Sequence, residues 1–270
     1  MSALELHDAG LAYGSRQLWS GLDLTVEPGE FLAVLGANGS GKTSLLRAIL
    51  GLQPLTHGTV RVDGQAPRKA SRAIGYVPQH RRIDPSTPLR GKDAVRLGLD
   101  GHRWGPGWLR GADRDRITNA LTQVEATAFA EAPIGELSGG EQQRIRIAQA
   151  VVSDPSVLLC DEPLLTLDLA SQRTITGLID RRRRTHRTAV LFVTHEINPV
   201  LPYVDRVLYL AGGQFRVGTV DEVLTGDTLS SLYGTAIEVV RRGNRILVAG
   251  LPEQPEHAHD HCLEPEGPLG

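Results

Sequence analysis

The chain has 270 residues, of which 40% are hydrophobic and 22% charged, and its formal net charge is −2. That suffices to bury a large core, and the near-neutral balance leaves no electrostatic footprint for a nucleic-acid partner. No apolar run approaches the ~18 residues of a membrane span, the opening MSALELHDAG lacks the basic and apolar regions of a signal peptide, and Cys160 and Cys262 provide no disulfide framework, so an intracellular chain is expected.

In chain order, LELHDAGLAYGSRQLWSGLDLTVEPGE has the alternation and turn residues of antiparallel strands, a β-rich flap ahead of the core. FLAVL (31–35) reads as a buried parallel strand and GKTSLLRAILGL (41–52) as a helix ending near Gly51. Residues 80–135 read as loops punctuated by Gly and Pro, then a polar amphipathic helix. With GEQQRIRIAQAVVSD (140–154), a helix with Ile145, Ala148 and Val152 at helical spacing, they suggest an inserted helical subdomain over about 80–150. SVLLC (156–160), TAVLFVT (188–194) and RVLYLA (206–211) read as further strands, with Cys160 in an apolar slot. RRRRTHR (181–187) reads as a solvated basic helix end that complements the helix dipole. DTLSSLYG is a short helix, AIEVV and RILVA are strands, and the apolar pattern stops at Leu251, which leaves a flexible tail over 251–270. Strands alternating with helices make an α/β nucleotide-binding layout.

GANGSGKT (36–43) has the spacing of a phosphate loop, with Gly36, Gly41, Lys42 and Thr43 in the fixed places and Asn38, Gly39 and Ser40 between them. A strand precedes it and a helix follows, as the chemistry requires, because backbone N–H groups and a helix N-terminus must face phosphate. Lys42 is placed to reach the β- and γ-phosphates of a nucleotide, and the Thr43 hydroxyl, with Ser44 beside it, to meet Mg²⁺. VLLCDEP (157–163) puts Asp161 and Glu162 at the end of a buried strand, where charge is costly unless it faces a cleft. Asp161 suits Mg²⁺ coordination, directly or through water, and Glu162 suits orienting or deprotonating an attacking water.

Between those motifs stands LSGGEQQR (137–144), and here residues 3–250 resemble the ATP-binding cassette (ABC) ATPases. The resemblance implies one ATPase domain over 1–250: an N-terminal antiparallel β subdomain, a RecA-like parallel-sheet core and the inserted helical subdomain. It implies a head-to-tail pair of ATPase subunits, in which Ser138, Gly139 and Gly140 of one cap the γ-phosphate held by the other. The residues agree: Ser138 and Glu141 make a capping arrangement, and two glycines at a helix N-terminus present N–H donors. By the same resemblance, Tyr13 stacks on adenine and Gln79 contacts Mg²⁺ and the water. Asp168 crosses the dimer interface, where it also suits a helix N-cap, and His195 touches the γ-phosphate. Leu164 and Leu165 depart from the small residues usual at their places.

The stretch YVPQHRRIDPSTPLRGKDAVRLG, the later HRWGPGWLRGADRDR and the segment LSSLYG resemble the ATPases of manganese, zinc and iron importers. The last segment is shared with iron-chelate and cobalamin importers, which are the alternative; a soluble ABC protein of translation or DNA repair is a third reading. The resemblance implies a subunit peripheral to the cytoplasmic face of the membrane, held by permease subunits through residues near 79–110, with Arg82, Asp84 and Trp108 as candidate contacts. An extracytoplasmic solute-binding protein would act indirectly. Trp104 and Trp108 also suit plain anchors of the subdomain core. The tail carries PEHAHDHC, where His257, His259 and His261 alternate. They form a candidate transition-metal cluster without the spacing of a structural zinc site, and an idle tail, incidental binding and metal-responsive regulation all stay open.

Overall fold

The computed structural model describes residues 1–79, 83–84, 86–101 and 111–250. Strands β1 (Leu4–Tyr13) and β2 (Arg16–Val26) pair as an antiparallel hairpin whose register runs from Leu4↔Val26 to Tyr13↔Arg16. Strand β3 (Phe31–Gly36) leads into α1 (Lys42–Ile49), and β4 (His57–Val62) returns to the far side of β1, so the flap is a sheet of order β2-β1-β4. After β5 (Ile74–Val77) come α2 (Gly91–Asp100), α3 (Gly111–Gln123) and α4 (Gly139–Val151). The chain then runs through β6 (Val157–Asp161), α5 (Leu169–His186), β7 (Ala189–Val193), β8 (Arg206–Ala211) and β9 (Gln214–Gly218). It closes with α6 (Val220–Val223), α7 (Gly226–Tyr233) and the hairpin β10 (Ile237–Arg242) with β11 (Arg245–Gly250).

The central sheet has the order β5-β6-β7-β3-β8-β9, parallel except for the antiparallel edge strand β9. Strands β6 and β7 are buried at every position, and alternate residues enter two different cores. Phe31, Ala33, Leu158, Cys160, Val190 and Phe192 pack with the helices α2 to α5. Leu32, Val34, Leu159, Leu191 and Val193 pack with α1 and the flap, where Trp19 and Leu22 are fully buried. A strand covered on both faces has no polar side to show, which is why these runs are continuously apolar.

Two expectations are corrected. The segment read as loops ahead of one helix contains α2 as well. Its glycines are packing residues: a Cβ on Gly98 would stand 2.1 Å from the Gln149 carbonyl oxygen of α4, and one on Gly91 would stand 2.9 Å from Ile145. Close approach lets Ala94, Val95 and Leu99 bury against the neighbouring helices, at about 1.5–3 kcal/mol for a Val or Leu side chain.

The arginine run is a basic helix end that is solvated only in part. Arg182 and Arg183 are 5% and 9% exposed, while Arg181 and Arg184 face water. Arg183 donates to Asp180, to Asp205 at 2.7 Å and to the Gly29 carbonyl at 2.8 Å, and Asp205 also accepts the Phe31 N–H that starts β3. Arg182 donates to Asp154, Gln123 and Thr188. The cluster therefore pins α5 to the start of the central strand.

Candidate active site

The loop between β3 and α1 takes left-handed backbone at Gly36, Gly39 and Gly41, with φ of 139°, 77° and 98°. A Cβ on Gly36 would stand 2.0 Å from the Leu210 carbonyl oxygen, and one on Gly41 would stand 2.8 Å from the Trp19 indole nitrogen. The loop is thus wedged between β8 and the flap. Gly41 is the N-cap of α1 with no side-chain cap, and the first turn carries no acid. The N–H groups of Lys42, Thr43 and Ser44 are left as donors for an anion. Ser40 Oγ and Trp19 Nε1 are buried beside this loop without hydrogen-bond partners among the described residues, which fits a site shaped for a ligand. Lys42 is buried, and its ammonium donates to the carbonyls of Gly36 at 2.8 Å and Ala37 at 3.0 Å. Burial draws its pKa down, opposed by Glu162 and Asp161.

The loop borders a cleft of about 370 Å³ that Tyr13, Arg16, Leu18, Asn38 and Glu162 also line. The exposed Tyr13 ring is held by its hydroxyl, which donates to Gln53 Oε1 at 2.8 Å and lies 3.3 Å from Ser44 Oγ. Asp161 closes β6, with Oδ1 accepting from the Thr43 hydroxyl at 3.4 Å and Oδ2 from the Tyr76 hydroxyl at 3.3 Å. Burial raises the Asp161 pKa above the usual carboxylate range, and neighbouring Glu162 adds to the rise, while the bonds from Tyr76 and Thr43 oppose it. The Tyr76 hydroxyl is pushed up to about 12 by burial and by Asp161.

Glu162 has φ 46°, a left-handed conformation that costs a non-glycine residue about 1–3 kcal/mol and is characteristic of functional sites. Its Oε2 accepts from Gln79 Nε2 at 3.3 Å and lies 3.9 Å from His195 Nδ1. Gln79, Glu162 and His195 follow the ends of the adjacent strands β5, β6 and β7, so the sheet order itself assembles them at its carboxyl edge. On its other side Glu162 borders a second cleft of about 150 Å³, lined also by His195, Leu165 and the buried Leu164.

The signature residues stand apart from the phosphate cleft. Ser138 is the N-cap of α4: its hydroxyl accepts the Glu141 N–H at 3.4 Å, and the Glu141 carboxylate accepts the Ser138 N–H at 2.9 Å. Gly139 and Gly140 form the first turn. Asp168 is the N-cap of α5, accepting the Ser171 N–H at 2.9 Å, and a Cβ on Gly140 would touch Ser171 Oγ at 2.8 Å, so the two helix ends adjoin. The structure therefore makes two groups: Tyr13, the loop, Asp161, Glu162, Gln79 and His195 in one, and Ser138, Gly139, Gly140 and Asp168 in the other. His257, His259 and His261 lie outside the described residues, as do Arg82, Trp104 and Trp108. Among the described residues no three His, Cys, Asp or Glu side chains are grouped to hold a metal ion. Sequence reading missed Tyr76, Arg16, Leu18 and Gln53, whose relevance comes only from contacts distant in the chain.

A glycine-wrapped helix N-terminus beside carboxylates at the carboxyl ends of parallel strands is the layout of a phosphate-loop nucleotide-binding protein. A family model described as ABC transporter matches residues 19–165, more than half of the chain. The chain belongs to the ABC transporter family and is an ATP-hydrolysing subunit within it. It is 36% identical over 248 residues to the zinc transport system ATP-binding protein TroB of Treponema pallidum, covering 90% of this chain and 92% of that protein. It is 32% identical over 257 residues to the zinc import ATP-binding protein ZnuC of Pseudomonas fluorescens, covering 95% and 89%. A metal-chelate type ABC transporter solved in an inward-facing conformation superposes with a TM-score of 0.78 at 27% identity, over 94% of this chain and 99% of that one.

Proposed function

We propose that this chain hydrolyses ATP to drive import of a divalent transition metal ion, zinc first, through separate permease subunits. The observation that carries the hydrolytic part is the contact of Glu162 with both Gln79 and His195 beside the phosphate loop. The cargo reading draws on similarity to TroB and ZnuC along most of the chain.

In this reading adenine stacks on Tyr13, and the phosphates take the N–H groups of the loop from Asn38 to Ser44. Lys42 exchanges its loop carbonyls for the β- and γ-phosphate oxygens, recovering charge partners for a buried ammonium. Thr43, Asp161 and Gln79 would hold Mg²⁺, which neutralises charge on the phosphates when bound. Glu162 orients or deprotonates the water, and His195 contacts the γ-phosphate. A single chain keeps its signature residues away from its own cleft, so Ser138, Gly139 and Gly140 serve the nucleotide of a second ATPase subunit across a head-to-tail interface, with Asp168 beside it.

Residues 1–250 then act as one ATPase unit with 80–150 as its helical part. Among the described residues no helix is long and apolar enough to cross a membrane, in keeping with a peripheral cytoplasmic subunit docked on the permease. A groove of about 360 Å³ between β5, α2 and α4, with Leu97 48% exposed on its rim, suits a permease helix. Asp84, the described one of the candidate contacts, accepts from Ser86 at its backbone N–H (2.8 Å) and hydroxyl (2.6 Å). A solute-binding protein would deliver the metal from the other side.

Glu162→Gln is expected to retain ATP binding and to lose turnover by roughly 10²–10⁴-fold, the range of general-base catalysis; normal turnover in that variant defeats the assignment. For the cargo, the chain reconstituted with its permease and binding protein in vesicles should hydrolyse ATP faster with zinc-loaded than with metal-free binding protein. Stimulation by an iron chelate instead would favour the second reading, which draws on the superposition with the metal-chelate transporter.

A further inference from the structure

We propose that Arg16 is a further nucleotide-binding residue, a second cation on the polyphosphate besides Lys42. The proposal rests on the reading of the 370 Å³ cleft as the ATP site. Arg16 is the direct cross-strand partner of Tyr13 at the tip of the β1–β2 hairpin, and residues directly opposite in an antiparallel pair project from the same face. The tip is tied to the loop and to the helix that follows it. Tyr13 reaches Ser44 in the first turn of α1, and Arg16 Nη2 donates to the Gly39 carbonyl at 3.2 Å, at the apex of the loop.

Both side chains line the cleft, and both are exposed to it rather than buried in the flap. A guanidinium has five N–H donors in a rigid fork and stays charged, so one bond to a carbonyl leaves donors and a full charge to spare. Glu162, the carboxylate on the same cleft, is already engaged by Gln79 and His195. A polyphosphate entering between Tyr13 and Lys42 meets the free donors of Arg16 while that side chain stays on Gly39. The hairpin tip thereby addresses base and phosphate together, the ring to one and the fork to the other.

The test uses the full chain carrying Glu162→Gln, so that ATP is bound and not consumed, and measures binding of ATP and of inorganic tripolyphosphate. Adding Arg16→Gln should weaken both by about tenfold, the value of one charge-assisted hydrogen bond of roughly 1.4 kcal/mol. Arg16→Lys should recover part of that loss, because the charge returns without the fork. Tyr13→Ala should weaken ATP and spare tripolyphosphate. The proposal falls if Arg16→Gln binds both ligands as tightly as its parent. It also falls if Arg16→Gln weakens ATP alone, which would make Arg16 a support for the Tyr13 ring and no phosphate contact. Undiminished ATP binding by Lys42→Ala would sink the reading of the cleft itself, a result distinct from either.

Discussion

Two helix N-termini in this chain are built in opposite ways. The start of α1 has no cap, no acid in its first turn, a buried ammonium folded onto loop carbonyls and, nearby, a carboxylate whose pKa burial has raised. The start of α4 has a complete capping box, in which Ser138 and Glu141 satisfy one another's backbone. The first leaves its backbone donors without a side-chain cap. The second is stable by itself, and in the proposed reading its serine and two glycines serve the nucleotide of a second subunit. The contrast teaches that one helix start leaves its donors open to a ligand while the other satisfies its own.

The comparison predicts effects of different size and sign. The largest belongs to Lys42→Ala, which should abolish measurable ATP binding by calorimetry, since the loop loses the one ammonium placed to follow the β- and γ-phosphates. Ser138→Ala comes next: ATP binding to a single chain should persist while turnover of the assembled pair drops by roughly 10–100-fold, the scale of losing a transition-state hydrogen bond. Turnover equal to wild type would mean that α4 is an ordinary capped helix.

Glu141→Ala should cost about 1 kcal/mol of stability, a cap's usual worth, or ~2–4 °C in Tm for a chain of this size. Its pair turnover should fall far less than that of Ser138→Ala, because the glycine donors and the serine hydroxyl remain. The smallest effect on stability should carry the opposite sign. Asp161 has a folded-state pKa above its unfolded value, so its ionisation weakens the fold as pH rises from the ordinary carboxylate range through the raised value, and the deficit persists above it. Asp161→Asn should therefore raise the Tm of the nucleotide-free protein at neutral pH and flatten its pH dependence in that window, while turnover collapses. A lower Tm at neutral pH would show that the bonds from Tyr76 and Thr43 outweigh the burial of the charge.

Local pattern carried much of the molecule. The glycine spacing of 36–43, the continuously apolar runs at β3, β6 and β7, and the Ser138–Glu141 interval are each written within a dozen residues, because N-caps, phosphate loops and doubly buried strands depend on near neighbours. Edge strand β5 and helix α2 were illegible for the converse reason. Four residues at a sheet edge give no period, and the glycines of α2 look like breaks until α4 is seen against them.

What the sequence alone determined is therefore most of the elements, the glycine spacing of 36–43 and the two carboxylates at the end of β6. Only the tertiary structure decided that Gln79, Glu162 and His195 converge, that Arg182 and Arg183 are buried anchors and that Arg16 lies over Gly39. Those contacts join residues 83, 154 and 23 positions apart in the chain, as Gln79–Glu162, Arg183–Gly29 and Arg16–Gly39. Strand order and close packing bring them together, and neither can be read from the neighbours of any one residue.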